Sequence, residues 1–286
     1  MSTRKGTIPA NGTGDATLRR VVSGDGTPIA YWTSGEGPPL VLVHGAPADH
    51  TRWRPVLPYL EPHATVHAID RRGRGASGDA PNYELAREFE DVAAVVDAVA
   101  QATGTKVDVY GHSFGGLCVF GAATLTANIG RLVLYEGWPP VNPDAGALPP
   151  GLGERLDGLL AAGNREAVVE TVFREVVIMP EEELSALRAQ PSWPARVAAA
   201  QLFPREIRAI AEASFDPEQA AKIIVPALLL TGADSADPFV ADIETVAAAL
   251  PDARIVVLEG QQHVADVLAP EVFAGHVVGF LRDQPT

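Results

Sequence analysis

The stretch "VYGHSFGGLCVF", residues 109–120, decides the fold. An apolar run leads into Ser113, and glycines stand at positions 111, 115 and 116. Residues 111–115 match the pattern G-x-S-x-G, in which a serine occupies a sharp, strained turn between a strand and a helix. Such a turn raises the serine hydroxyl above the edge of the sheet. The start of the following helix favours negative charge, so the backbone N–H of Phe114 is expected to stabilise an oxyanion there.

Strand and helix patterns alternate on both sides of this turn. Strands are predicted at 18–23, 28–34, 39–45, 65–70, 106–111, 131–136, 226–232 and 253–260. Helices are predicted at 84–101, 115–127, 239–249 and 270–282. This alternation predicts an α/β fold, a mostly parallel sheet with helices on both faces.

The alternation stops in the middle of the chain, where helical patterns stand without a convincing strand. They fall at 152–162, 165–178, 181–189 and 194–213. We therefore predict a helical cap, residues 138–216, inserted between the two parts of a core domain, 17–137 and 217–286. Residues 1–16 are rich in small polar residues and are expected to be flexible.

Composition excludes several classes of protein. The 286 residues are 47% hydrophobic and carry a net charge of -14, which disfavours nucleic acid or an anionic membrane as a partner. No apolar run approaches the ~20 residues of a membrane span, and no secretory signal is recognisable, so a cytoplasmic protein is expected. Cys118 is the single cysteine and stands in an apolar run, which favours a buried structural thiol. No metal-binding or phosphate-binding motif appears, and neither a metal nor a cofactor is expected.

Three further segments, together with the serine turn, make the chain resemble the α/β-hydrolase family from about residue 19 to 282. They are "LVLVHGAP" (40–47), "IDRRGRGASG" (69–78) and "LEGQQHVADVLAPEVFAGHVVGFL" (258–281). The resemblance implies that residues 44–47, here named the oxyanion loop, supply a second oxyanion donor, the N–H of Ala46. It also implies that the catalytic histidine precedes the last helix.

His263 is the predicted general base, because among seven histidines it alone lies on a loop after a late strand. His44 is expected to shape the oxyanion loop. His112 is expected either to line the site or to pack under the turn. The remaining histidines, His50, His63, His67 and His276, are interpreted as surface or packing residues.

The carboxylate that orients the base has three candidates. The family usually places it three residues beyond the glycine that ends the seventh strand, but that position holds Ser235. Asp234 lies one residue early and Asp237 two residues late. Some lactonases of the family use a glutamate at the end of the sixth strand instead, where Glu136 stands. Glu136 is preferred, with Asp234 as the alternative acid.

These residues predict a serine hydrolase that cleaves a small, uncharged and fairly apolar carboxylic ester or lactone through an acyl-enzyme. Trp53, Trp193 and Phe203 are predicted to bind the substrate, beside residues 137–140, Phe173, Ile178 and Met179; packing within the cap is the alternative reading for each. A serine nucleophile argues against the dehalogenase and epoxide-hydrolase branches. A cofactor-free perhydrolase of the haloperoxidase kind, a C–C bond hydrolase and a non-catalytic ligand receptor remain as alternative functions.

Overall fold

Eight strands form one sheet in a computed structural model that describes residues 16–142, 148–236, 240 and 242–283. The strands are β1 Thr17–Val22, β2 Pro28–Ser34, β3 Pro39–Val43, β4 Thr65–Asp70, β5 Val107–His112, β6 Ile129–Tyr135, β7 Ala227–Gly232 and β8 Ala253–Leu258. Their order across the sheet is β1-β2-β4-β3-β5-β6-β7-β8. β2 is antiparallel to both its neighbours, and β3 to β8 run parallel. The predicted fold class is confirmed.

The helices cover both faces of this sheet. They are α1 Leu57–Leu60, α2 Leu85–Thr103, α3 Phe114–Ala122, α4 Leu152–Ala161, α5 Arg165–Glu175, α6 Glu181–Arg188, α7 Trp193–Ala198, α8 Phe203–Glu212, α9 Pro217–Ala220, α10 Ile243–Ala249, α11 Ala265–Leu268 and α12 Pro270–Arg282. Short 3-10 turns stand at His50–Trp53 and Ala200–Leu202. One apolar cluster joins the sheet to α2, α3 and α10, and another joins it to α1 and α12. Every residue of β3 and β7 is therefore buried, as expected for parallel strands covered on both faces.

Six helices, α4 to α9, lie between β6 and β7 in the described residues, and the first five of them pack around an apolar cluster of their own. No strand occurs in the described part of this segment, 136–142 and 148–226. The helical stretch predicted at 194–213 is not one continuous helix but is divided into α7, a 3-10 turn and α8. Pro204 explains the break, since a proline lacks the N–H of a helix interior and fits the first turn of α8. The exact limits of the cap stay a prediction.

Buried ion pairs attach the cap to the core. Glu206 of α8 accepts hydrogen bonds from Arg71 and Arg74, which follow β4. Arg71 also pairs with Glu88 of α2 at 3.2 Å. All four side chains are at most 3% exposed. Removing one partner would leave a buried charge unpaired, so these contacts fix α8 against the segment that follows β4.

Two sequence predictions fall outside the described residues. These are the flexible N-terminus, apart from residue 16, and Asp237 as an acid candidate. No helix in the described ranges is long and apolar enough to span a membrane. Cys118 is fully buried, and burial raises the pKa of its thiol well above the usual value, in line with the structural thiol expected.

Candidate active site

Ser113 stands between β5 and α3 in a strained conformation. Its φ is 54° and its ψ is -129°, a backbone region that residues other than glycine rarely occupy. The turn is held by two backbone hydrogen bonds, from Ser113 N to Tyr135 O at 2.9 Å and from Gly116 N to Ser113 O at 2.8 Å. Strain of this kind is characteristic of functional sites and persists only where the surroundings enforce it.

The glycines around Ser113 are required by close backbone approach. A Cβ atom at Gly111 would lie 2.6 Å from the Cα of Gly116, and one at Gly115 would lie 2.2 Å from the carbonyl oxygen of Val43. Both distances are far below any tolerable contact. The sequence pattern G-x-S-x-G therefore follows from packing of the turn against β3 and α3.

The oxyanion loop lies directly against the serine. A Cβ atom added at Gly45 would lie 2.9 Å from the Cβ of Ser113, so Gly45 is in close contact with the serine. Ala46 is the next residue along the chain. Phe114 is the first residue of α3, and the first N–H groups of an α-helix have no acceptor within the helix. Both predicted oxyanion donors thus belong to segments that border Ser113.

His44 holds the oxyanion loop in shape. It is fully buried, its Nε2 accepts from the N–H of Arg71 at 3.2 Å, and its Nδ1 lies 2.8 Å from Gly45 O. Since Nε2 is the acceptor, Nδ1 carries the proton that Gly45 O accepts. Burial, together with the charges of Arg71 and Arg74, lowers the pKa of His44 well below the usual value, and the ring stays neutral. This is the structural role expected from the sequence.

The structure brings His263 and Glu136 together. His263 is 4% exposed on the loop between β8 and α11, and its Nδ1 lies 2.6 Å from Glu136 Oε2. Glu136 directly follows β6 with φ of 45°. Its other oxygen, Oε1, accepts from Gly232 N at 2.7 Å, Thr231 Oγ1 at 3.0 Å and Ser235 Oγ at 2.5 Å. The carboxylate is therefore held from two sides.

Glu136 is ionised in this setting. Burial alone would raise its pKa, but the hydrogen bond and charge of His263 and the hydrogen bonds of Ser235 and Gly232 hold it below the usual value. An ionised carboxylate is acceptor-only, so Nδ1 of His263 must donate. Nε2 is then the nitrogen left to accept a proton.

The alternative acid, Asp234, lies elsewhere. Its side chain is exposed, and its backbone N–H donates to Gln261 O at 3.0 Å. Burial, with the charge of Asp234 added, raises the pKa of Glu183 on α6. Ser235, which occupies the family's usual acid position, instead donates a hydrogen bond to Glu136.

His112 supports the loop that carries His263. Its Nδ1 accepts from Arg52, so its Nε2–H donates to the carbonyl oxygen of His263 at 2.7 Å. The two imidazole rings have centroids 4.7 Å apart. Tyr135 holds the same loop through a hydrogen bond from its hydroxyl to Gln262 O. The supporting roles of Arg52 and Tyr135 have no local sequence signature, because each connects segments far apart in the chain.

The prediction that Trp53 faces the cap and binds substrate is wrong. Its side chain is 0% exposed and belongs to the apolar cluster that joins the sheet to α1 and α12. Its ring packs edge-on against Tyr110 with centroids 5.1 Å apart.

The aromatic residues proposed for the cap pack mainly among themselves. Trp193 is 7% exposed, donates to Glu166 Oε1 at 2.8 Å and lies near Phe173; Phe203 is 3% exposed. Ile178, in contrast, is 58% exposed. The cap cluster also includes Val264 and contacts Ala46, so it reaches the residues beside the base and the oxyanion loop. Substrate contact by Trp193 and Phe203 stays a prediction.

The side-chain ligand atoms of three residues lie close enough together to hold a metal ion. These residues are Asp49, His50 and Asp70. Asp70 is fully buried, and both its oxygens are already occupied. Oδ1 accepts from the N–H and Nδ1 of His50 at 2.9 and 2.7 Å, and Oδ2 from Trp32 Nε1 and Ala76 N at 3.0 Å. These hydrogen bonds connect Asp70 to β2, to residue 50 and to the segment after β4, so its carboxylate has a structural role.

A surface pocket of about 320 Å³ lies at the opposite end of the sheet. Lys106 and Ile129, at the amino ends of β5 and β6, line it together with Lys222. Ser113 and Glu136 follow the carboxyl ends of the same strands. Ligands of open α/β sheets bind at the carboxyl ends, so this pocket is not the reaction site.

Comparison with known proteins gives a consistent result. The sequence profile of the Alpha/beta hydrolase family matches residues 40–276. The crystal structure of an alpha/beta hydrolase from Sphaerobacter thermophilus has a TM-score of 0.78 and 36% identity, and covers 92% of this chain and 100% of its own. A non-heme haloperoxidase from Rhodococcus erythropolis is 29% identical over 260 residues, 85% of this chain and 92% of its own. An (E)-2-((N-methylformamido)methylene)succinate hydrolase from Acinetobacter baylyi is 25% identical over 257 residues, 89% of this chain and 94% of its own.

Proposed function

Because the chain belongs to the alpha/beta hydrolase family, we propose that it hydrolyses a carboxylic ester or a lactone through an acyl-enzyme. The observation that carries the proposal is the 2.6 Å contact between His263 Nδ1 and Glu136 Oε2, beside a serine in strained backbone. The roles of the residues follow from this geometry and from the general chemistry of serine hydrolases.

In the first half of the reaction, Ser113 Oγ attacks the carbonyl carbon and His263 Nε2 takes the hydroxyl proton. Glu136 stabilises the imidazolium that forms. The N–H groups of Ala46 and Phe114 donate to the oxyanion. The C–O bond then breaks, the leaving oxygen receives the proton from His263, and the acyl group stays on Ser113.

In the second half, His263 removes a proton from water, and the resulting hydroxide attacks the acyl carbon. The bond to Ser113 Oγ breaks, and the serine recovers its proton from His263. The products are a carboxylic acid and, from an ester, an alcohol; a lactone yields one hydroxy acid. No metal or cofactor takes part in these steps.

Perhydrolysis is the second candidate, and the similarity to a haloperoxidase favours it. Hydrogen peroxide would replace water in the second half and release a peroxy acid. The first half would be unchanged, so the same residues serve both reactions.

A panel of small esters and lactones, assayed with and without hydrogen peroxide, tests the proposal. We expect hydrolysis without peroxide in the parent and none above background in Ser113→Ala. Halide oxidation that requires peroxide, with negligible ester or lactone cleavage in its absence, would instead favour the perhydrolase. If neither reaction occurs and Ser113 resists acylating reagents, the proposal fails.

A further inference from the structure

Arg196, on α7 of the cap, is an unusual charged residue. Its side chain is 2% exposed, and Nη1 donates to the carbonyl oxygen of Pro47 at 3.0 Å. Its Nε and Nη2 are buried and have no hydrogen-bond partner among the described residues. A buried polar group without a partner is destabilising, so its presence requires an explanation.

The other buried arginines differ from Arg196. Arg52, Arg71, Arg72 and Arg74 are each at most 3% exposed, and each forms an ion pair with a carboxylate. Arg196 forms no ion pair within the described parts of the chain. Buried charges in proteins are ordinarily paired, and here four of five follow that rule.

The charged groups around Arg196 do not supply the missing partner. Arg52, Asp266 and Asp49 act on it electrostatically, and its own charge helps to lower the pKa of His112. Asp266 Oδ2 accepts hydrogen bonds from Arg52 and Tyr110, while Asp266 Oδ1 has no hydrogen-bond partner within the part of the chain that the structure describes. Asp49 Oδ1 accepts from Thr51. Burial, with the Arg52 charge added, lowers the pKa of Arg196 to about 9, so the group is a cation at neutral pH and is held in an unfavourable place.

Arg196 borders the reaction site. Pro47, which it contacts, directly follows Ala46, the predicted oxyanion donor. The cap cluster in which α7 takes part also contains Val264, adjacent to His263, and contacts Ala46. The guanidinium therefore sits between the cap cluster and the oxyanion loop, which itself borders Ser113.

We propose that Arg196 binds a carboxylate carried by the substrate, so that the preferred ester or lactone is an anion with an otherwise apolar body. This inference rests on the proposed function and specifies its substrate class. A planar guanidinium with two unpaired donors, Nε and Nη2, presents the fork that recognises a carboxylate through two hydrogen bonds. Binding would complete the polar contacts of Arg196 and supply the missing negative charge.

Matched pairs of substrates test the proposal. Ethyl hemiesters of straight-chain diacids with four to eight carbons are compared with ethyl esters of the monoacids of equal length. The parent should prefer at least one hemiester. In Arg196→Met the ratio of kcat/KM between that hemiester and its neutral partner should fall by roughly 10²-fold, mainly through KM. Arg208→Met is the matched control, because Arg208 is an exposed cap arginine paired with Asp157, and it should leave the ratio unchanged.

A ratio of kcat/KM that stays constant in Arg196→Met would overturn the proposal, whether both values are unchanged or both fall equally. Equal losses would mean that Arg196 only supports the oxyanion loop or pairs with Asp266 through water. If Arg196→Met fails to fold, Arg196→Lys replaces it; this variant keeps the charge but loses the fork, and should reduce the same ratio.

A binding measurement separates this inference from the proposed function. In Ser113→Ala, calorimetry with the same hemiesters reports binding without turnover. Binding should be lost when Arg196→Met is added, and absence of hemiester binding to Ser113→Ala would refute the inference. If the parent hydrolyses no ester and Ser113 cannot be acylated, the proposed function fails, while the calorimetric result still decides the role of Arg196.

Discussion

The contacts at the carboxyl edge of the sheet and the contacts within the cap have different physical roles. At the sheet edge, Ser113 and Glu136 occupy left-handed backbone, and His263 is held by hydrogen bonds from two directions. In the cap, aromatic and aliphatic side chains such as Phe203 fill an apolar cluster. Strain and buried polar contacts at the first region serve position, whereas packing in the second serves stability. Substitutions at the edge should therefore reduce turnover with little unfolding, and substitutions of apolar residues in the cap cluster should mainly reduce stability.

Ser113→Ala should produce the largest effect on turnover. The attacking oxygen is lost, while the turn is still held by its glycines and backbone bonds, so kcat should fall roughly 10³-fold or more. The thermal midpoint should stay near that of the parent, because the change removes one oxygen from a turn that backbone hydrogen bonds hold. Steady-state kinetics with a small ester and a melting curve measure both. Activity within a few-fold of the parent would exclude Ser113 as nucleophile.

Glu136→Gln should lower kcat by roughly 10²–10⁴-fold. The amide keeps the size of the side chain but loses the charge and can stabilise the wrong tautomer of His263. Asp234→Asn is the matched control, since the side chain of Asp234 is exposed, and kcat should fall by no more than a few-fold. The reverse order of the two effects would assign the acid to the loop after β7.

Phe203→Ala tests the cap side of the comparison. Removing a side chain that is 3% exposed should lower the free energy of unfolding by roughly 3–5 kcal/mol, measured by urea denaturation. Ile178→Ala, which alters an exposed apolar residue of the same cap, should change it by less than about 1 kcal/mol. Similar values for the two variants would mean that Phe203 faces a substrate cavity and adds little to packing.

The buried histidines near the sheet should have a smaller effect, which is to make the free energy of unfolding depend on pH. Burial lowers the pKa of His44 and His112 well below the usual value and that of His67 to about 4. The unfolded chain therefore binds protons below pH ~6.5 that the folded chain does not, and stability falls as pH decreases. Each histidine adds about 1.4 kcal/mol per pH unit between its two pKa values.

Urea denaturation between pH 6 and 5 measures this dependence. His67→Gln should reduce the slope of the unfolding free energy against pH by the contribution of about one proton, which is about 1.4 kcal/mol per pH unit. His276→Gln, at an exposed site on α12, is the control and should preserve the parent slope. An unchanged slope in His67→Gln would show that His67 is protonated in the folded state.

The sequence predicted most of the fold because its signals are local. β2 and β4 fall at the predicted residues, and the glycines around Ser113 mark a turn that their own neighbours require. Glu136 was preferred because Ser235 occupies the usual acid position. The remaining features depend on contacts distant in sequence. Arg196 meets Pro47 across 149 residues, and no local pattern indicates it.

Trp53 illustrates the same limit. An aromatic residue near the oxyanion loop has the same local pattern whether it faces a cavity or the core, and only the three-dimensional packing places it against Tyr110. The cap aromatics are ambiguous for this reason, and their pattern could not distinguish substrate contact from packing.

Intact-mass measurement after treatment with a fluorophosphonate probe tests the central claim most directly. The account predicts one adduct per chain on the parent, located on Ser113 by peptide mapping, none on Ser113→Ala, and formation slowed roughly 10²-fold or more in Glu136→Gln but not in Asp234→Asn. An adduct that forms at the parent rate in Glu136→Gln, or that persists in Ser113→Ala, would contradict the assignment of Ser113, His263 and Glu136 as the catalytic unit.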